Sequence, residues 1–180
     1  LINKCAQRLK EIHRTKENVI MLSSTGTGAL ETITSNLYSP GDKVLLINIG
    51  FFGDFWKIMA ENFNLKIINL QYQWGETYQI EDVKKILAKH KDIKGILVTH
   101  NETSTGVLNN IKALGQLTHK KKILLCVDSI SSMILNKIEF DKWHVDAIAS
   151  ASEKGYLLPP GLSFVCFSQK AQKAMAKSTF

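Results

Sequence analysis

Apolar residues along the chain fall into short continuous runs, separated by stretches with helical spacing. Residues 43–48 (KVLLIN), 95–100 (GILVTH) and 123–128 (ILLCVD) are nearly uninterrupted and have no polar face. A strand acquires that composition when helices cover its sheet on both sides. Shorter runs at 18–22 (NVIML), 145–150 and 162–167, and an alternating one at 65–70, predict further strands. Helical spacing marks 29–37, 54–62, 80–89, 111–119 and 169–176. In 80–89 the apolar positions Ile80, Val83, Ile86 and Leu87 share one helix face. Ser39-Pro40-Gly41-Asp42 reads as a turn, since Pro fixes φ and Gly tolerates a positive one. Strands alternating with helices predict an α/β fold: three layers, α/β/α, around a mostly parallel sheet. No internal repeat or low-complexity linker interrupts the pattern, so residues 1–180 read as one domain.

Composition agrees with a globular domain. The chain has 180 residues, 44% hydrophobic and 22% charged. No apolar run reaches the roughly 18–20 residues of a membrane span, so no membrane association is expected. Leu1-Ile2-Asn3-Lys4 does not open a signal peptide and is not an initiator Met, which reads as a fragment or a processed chain. The net charge of +7 raises the question of a nucleic-acid partner. Its lysines, however, are scattered (Lys84, Lys85, Lys89, Lys91, Lys94), and the run Lys120-Lys121-Lys122 falls where a helix ends and cations favour the dipole. Solvated surface charge is the expectation, with no nucleic acid. Cys5, Cys126 and Cys166 are odd in number and far apart. The latter two sit in strand-like runs as buried thiols, which suggests the cytoplasm. His13, His90, His100, His119 and His144 lack metal-ligand spacing, so no metal site is expected.

In parallel sheets ligands bind beyond the carboxyl ends of the strands. The segments there are 23–28, 50–53, 101–106, 128–132 and 150–161, all rich in Ser, Thr, Gly, Asp or Lys. Ser23-Ser24-Thr25-Gly26-Thr27-Gly28-Ala29 is either a hydroxyl cap on an ordinary helix or a phosphate site built from free N–H groups. A P-loop is excluded, because no lysine ends the segment. A dinucleotide site wants an acid at the end of the second strand, where this chain has Asn48. Asp128, closing its strand, suits a metal ligand, a partner for a buried cationic nitrogen, or an N-cap. Lys154 lies among small residues before Leu157-Leu158-Pro159-Pro160-Gly161. It is either a surface lysine or one desolvated by that loop, with a lowered pKa and a nucleophilic amine.

A phosphate cradle, a strand-end Asp and a lysine 26 residues later together match what pyridoxal 5'-phosphate (PLP) requires. The chain resembles the class V (fold-type I) PLP-dependent aminotransferases, of the alanine–glyoxylate and serine–pyruvate type. The resemblance runs from about Asn18 to about Ala176. It is carried by Gly26-Thr27-Gly28-Ala29-Leu30-Glu31, Glu102-Thr103-Ser104-Thr105-Gly106-Val107-Leu108, Val127-Asp128-Ser129, and Ser152-Glu153-Lys154 with Pro159-Pro160-Gly161.

The resemblance implies a PLP-binding large domain and a transaminase that moves an amino group between an amino acid and a 2-oxo acid. Alanine, serine or aspartate would be the donor, and glyoxylate, pyruvate or 2-oxoglutarate the acceptor. It implies Lys154 as the Schiff-base lysine and proton carrier, and Asp128 as partner of the pyridine nitrogen. Thr25, Gly26 and Thr27 would hold the phosphate. Phe52 would stack on the ring, Thr103 would place a hydroxyl near it, and Ile130 would cover its opposite face, although core packing explains Phe52 and Ile130 equally well. Glu153 departs from the pattern, which usually has Gln there. Cysteine desulfurases of this fold have His before the lysine and an imidazole on the ring, so Glu153 and Phe52 argue against that activity. Complete members are roughly twice as long and carry a small C-terminal domain with a carboxylate-binding arginine. They form homodimers whose partner adds phosphate contacts. A truncated, catalytically weak PLP-binding domain is therefore the alternative.

Overall fold

The structure, a computed structural model, describes residues 1–179. The elements run α1 (Ile2–His13), β1 (Val19–Leu22), α2 (Gly26–Leu37), β2 (Lys43–Asn48), α3 (Phe51–Asn62), β3 (Lys66–Gln71), α4 (Ile80–Lys89) and β4 (Ile93–Thr99). They continue with β5 (Asn101–Glu102), β6 (Val107–Leu108), α5 (Ile111–Thr118), β7 (Leu124–Asp128), β8 (Ala147–Ala151), β9 (Ser163–Phe167) and α6 (Gln169–Met175). Seven strands form one sheet in the order β1-β9-β8-β7-β4-β2-β3. From β3 to β8 neighbouring strands pair in parallel, while β9 runs antiparallel to both β8 and β1. The expected three-layer architecture is therefore present.

Strand periodicity divides the core into two layers. Leu45, Ile47, Ile96, Val98, Leu125 and Val127 face α1, α4 and α5, and pack with Leu9, Val83, Leu87, Ile111 and Leu114. Val44, Leu46, Leu97 and Cys126 point the other way, against Leu30 and Ile33 of α2, Trp56 of α3 and Ala171 of α6. Cys126 and Cys166 are buried as expected, and Cys5 is exposed. The predicted turn at 39–42 is present, with Gly41 at φ 86° and the Asp42 carboxylate accepting from the Ser39 N–H at 3.0 Å. No helix among the described residues is long and apolar enough to cross a membrane.

Three expectations need correction. The sequence reading places no element over α1, although Ile2, Cys5, Leu9 and Ile12 stand at helical spacing; of this helix Leu9 and His13 are buried. Helix α2 starts at Gly26 rather than 29, and α3 at Phe51 rather than 54. In both, glycines that look like loop residues are the first helical turn. The polar segment 101–106 is not simply a loop, since β5 and β6 pair across it as a short hairpin.

Candidate active site

Five strand ends converge at one edge of the sheet. At the first, Thr25 caps α2, its Oγ1 accepting from the Gly28 N–H at 3.4 Å. The cap and anion-site readings thus coexist. Gly28 is engaged, while the N–H groups of Gly26 and Thr27 belong to the helix start that has no intrahelical acceptor. A Cβ on Gly26 would lie 2.7 Å from Ile130 Cδ1. The first turn of α2 therefore sits directly on the residue that follows Asp128-Ser129. A larger residue there would have to displace the Ile130 side chain, whereas φ makes no demand for glycine.

Asp128 ends β7 almost fully buried, with the Ile130 N–H donating to Oδ1 at 2.9 Å. Burial, with the negative charge of Glu102 adding to it, pushes its carboxyl up to about 7, against the opposing pull of the Ile130 N–H. No described residue forms an ion pair with it. A buried carboxylate beside a helix N-terminus and without a cation fits a ligand that carries both a phosphate and a protonated nitrogen. Ser129 pins this strand end to β8, donating through both N–H and Oγ to the Ala149 carbonyl at 2.9 and 2.7 Å.

Phe52 owes its position to Glu102, a residue to which the sequence reading gives no role. The Glu102 carboxylate is fully buried and accepts from the N–H groups of Phe52 and Gly53 at 3.2 Å, and from the Ser104 N–H and Oγ at 3.2 and 2.6 Å. It thus supplies the cap that Gly50, the N-cap residue of α3, lacks. Phe52 is half-buried, edge-on to Phe51 with ring centroids 5.3 Å apart. Thr103 lies exposed on the 101–108 hairpin beside Glu102. His100, also given no role by the sequence, is buried with its ring Nδ1 2.9 Å from the Ser132 hydroxyl. Burial lowers its pKa to about 4.

Lys154 and Glu153 lie in the turn after β8, and both are exposed. Neither forms an ion pair among the described residues. The expected desolvation of Lys154 by the Pro-rich loop is absent, because that loop turns outward: Leu157 is 86% exposed and Leu158 51%. Its ends are held by Ser152, whose Oγ donates to the Pro159 carbonyl at 2.7 Å and whose carbonyl accepts from the Leu158 N–H at 3.0 Å. The turn itself is firmly seated. The Tyr156 hydroxyl lies 2.8 Å from His13 Nε2 and 3.1 Å from Ser150 Oγ, which ties the lysine segment to α1 and β8. Burial lowers the His13 pKa to about 4. Leu157 and Ile134 both adopt left-handed φ (56° and 75°) on either side of Gly155, a conformation that is costly for a β-branched residue such as Ile134.

The structure thus joins Thr25, Gly26, Thr27, Ile130 and Asp128 in one corner, and Phe52 and Thr103 around Glu102 beside it. Glu153 and Lys154 stand in the turn that follows the next strand, β8. Among the described residues no group of three or more His, Cys, Asp or Glu side chains is placed to hold a metal.

This architecture and strand-end corner define the fold of the fold-type I PLP-dependent enzymes. An alanine–glyoxylate aminotransferase from Nostoc sp. superimposes with a TM-score of 0.91 at 30% identity, over 97% of this chain and 46% of its own. The family description Aminotransferase class-V matches residues 2–180, and the chain belongs to that PLP-dependent family. An L-aspartate–glyoxylate aminotransferase from Paracoccus denitrificans is 39% identical over 170 residues, 92% of this chain and 43% of the relative. A protein from Synechococcus sp. named soluble hydrogenase, small subunit, is 37% identical over 95% of this chain and 45% of its own length. The chain spans under half the length of these curated relatives.

Proposed function

We propose that residues 1–180 form the PLP-binding large domain of a transaminase that exchanges an amino group between alanine, serine or aspartate and a 2-oxo acid such as glyoxylate or pyruvate. The observation that carries this reading is Asp128, a buried carboxylate with no cation among the described residues, two positions before Ile130, whose side chain packs on Gly26 at the start of α2. Bound PLP would supply an electron-withdrawing ring that stabilises negative charge at the substrate carbon. Asp128 would hold the proton on the ring nitrogen. The N–H groups of Gly26 and Thr27, with the Thr25 and Thr27 hydroxyls, receive the phosphate. Phe52 and Ile130 would flank the ring, Thr103 would offer a hydroxyl near it, and Lys154 would provide the amine that holds the cofactor and carries the substrate proton. The exposure of Lys154 leaves it free to reach a ligand at the β7 end.

The assembly we infer is a cytoplasmic homodimer. Leu157, Leu158, Leu162, Ile134 and Leu135 are exposed, and the Gly155 contact brings Ile134 and Leu135 up to the lysine turn. An apolar rim of this kind beside a site suits burial by a second subunit. The chain's share of its relatives' length also keeps the second reading, a PLP-binding domain with weak turnover of its own.

Borohydride reduction of the PLP-treated chain, followed by peptide mapping, tests the assignment. The cofactor mass should appear on the peptide containing Lys154. Label spread over the exposed lysines without preference would rule it out. Glu153 bears on affinity at the same site. It stands where the family has a neutral donor, and when ionised it can only accept hydrogen bonds and adds negative charge near a phosphate. Among the described residues no basic side chain pairs with it. Glu153→Gln should therefore tighten PLP binding, more at alkaline than at acid pH. Equal affinities at both would mean that Glu153 does not face the phosphate.

A further inference from the structure

At the opposite edge of the sheet, lysines distant in sequence converge on one cleft of about 430 Å³. Lys94 comes from the start of β4, Lys121 and Lys122 from the turn after α5, and Lys170, Lys173 and Lys177 from α6 and the turn beyond it. Positions 170 and 173, one turn apart, fall on one face of α6, and the turn beyond the helix brings Lys177 to the same cleft. Lys170 is neutralised and held, its Nζ 2.7 Å from Asp146 Oδ2 and 2.9 Å from the Ile123 carbonyl. The other five form no ion pair among the described residues. Among the described residues one carboxylate lines the cleft, that of Asp42, which already accepts from the Ser39 N–H. These five lysines are exposed, as expected of surface charge, but they line one concave place instead of being scattered.

We propose that this cleft is a binding site for a small phosphate-chain anion of the pyrophosphate or triphosphate class. Ammonium groups converging without counter-charge repel one another, and a multivalent anion relieves that repulsion at several points at once. The lining contains no arginine, so planar bidentate recognition of a carboxylate is not built here. Lysines act as point charges, which suits phosphate oxygens. The volume lies in the range of small-molecule sites, roughly 300–1,000 Å³, and gives no extended track for a nucleic-acid backbone. The cleft is separate from the cofactor corner. Leu124, at the start of β7, lines it, and Asp128 ends the same strand, about 13 Å away at a rise of about 3.3 Å per residue.

Calorimetric titration of the chain with sodium tripolyphosphate tests the site. One equivalent should bind, and the double charge reversal Lys121→Glu/Lys173→Glu should weaken it at least tenfold. Lys4→Glu, which alters charge on α1 away from the cleft, should change affinity less than twofold. Thr27→Asp, which puts a negative charge in the proposed cofactor cradle, should leave tripolyphosphate binding intact. Loss with Thr27→Asp but not with the lysine reversals would assign the anion to the cradle and overturn the proposal, while leaving the cofactor reading untouched. Equal weakening by Lys4→Glu would reduce the effect to net charge and overturn it as well. Affinity for single-stranded oligonucleotides that exceeds that for tripolyphosphate and rises with length would replace the small anion by nucleic acid.

Discussion

Asp128→Asn is expected to make the cofactor-free chain more stable at about pH 8 and to change it little near pH 4. Asp128 is held at about 7 in the fold against an ordinary value of 3.8. Below 3.8 it carries its proton whether the chain is folded or not. Between 3.8 and about 7 the unfolded chain releases the proton and the folded chain keeps it, so unfolding becomes easier as pH rises. Once both states are ionised, the accumulated loss is on the order of 4 kcal/mol before local relaxation. An amide has no charge to bury and keeps an oxygen to accept from the Ile130 N–H. The substitution should therefore recover about 2–4 kcal/mol on the alkaline side.

His13 and His100 act in the opposite sense. Burial lowers both to about 4 from 6.5, so their contribution is complete above 6.5 and lost as pH falls toward 4. The wild-type stability profile should be limited by the two histidines on the acid side and by Asp128 on the alkaline side. In the variant only the acid limb should remain. Urea unfolding from about pH 4 to about pH 8 would check this, and superimposable profiles for the two proteins would refute it. A carboxylate that weakens the empty fold and lacks a cation is a group retained for a ligand, not for stability.

How far the sequence discloses this molecule depends on where each determinant lies along the chain. The strands 43–48 and 124–128 are legible because both faces are buried, which leaves only apolar residues to choose from. Asp128, Lys154 and the Gly26-Thr27-Gly28 segment are legible as strand-end polar groups, and the family resemblance relates them to one another. The contact of Gly26 with Ile130 is not legible, since it joins segments about a hundred residues apart through a missing Cβ. The start of α3 is hidden for a similar reason. Gly50 and Gly53 suggest a loop, and the group that stabilises the helix is Glu102, on another strand. The exposure of Lys154 depends on which way the 157–161 loop turns, and composition carries no such direction. The lysine cleft is invisible to any local reading, because four separate segments build it.

Glu102 should prove the most costly of these residues to remove. Its carboxylate satisfies the first-turn N–H groups of Phe52 and Gly53 and both polar groups of Ser104, all at the start of α3 or beside it. Glu102→Ala leaves these donors without an acceptor, withdraws a negative charge from the positive end of the helix dipole, and opens space beneath Gly50. A loss of about 3–5 kcal/mol is expected. Glu102→Gln keeps the shape and one acceptor, so it should cost less, and its effect should depend on pH. Glu102 raises the Asp128 pKa by repulsion, so a neutral side chain at 102 lets Asp128 ionise at lower pH. At about pH 8, where Asp128 is charged, relief of that repulsion offsets part of the lost capping. At about pH 5 Asp128 is protonated and there is nothing to relieve. Glu102→Gln should therefore cost less in the wild-type background than in the Asp128→Asn background at about pH 8, and equally in both at about pH 5. A double-mutant cycle at the two pH values measures the difference directly. A coupling energy that is the same at both would show that the two carboxylates do not sense each other, and that Asp128 is raised by burial alone.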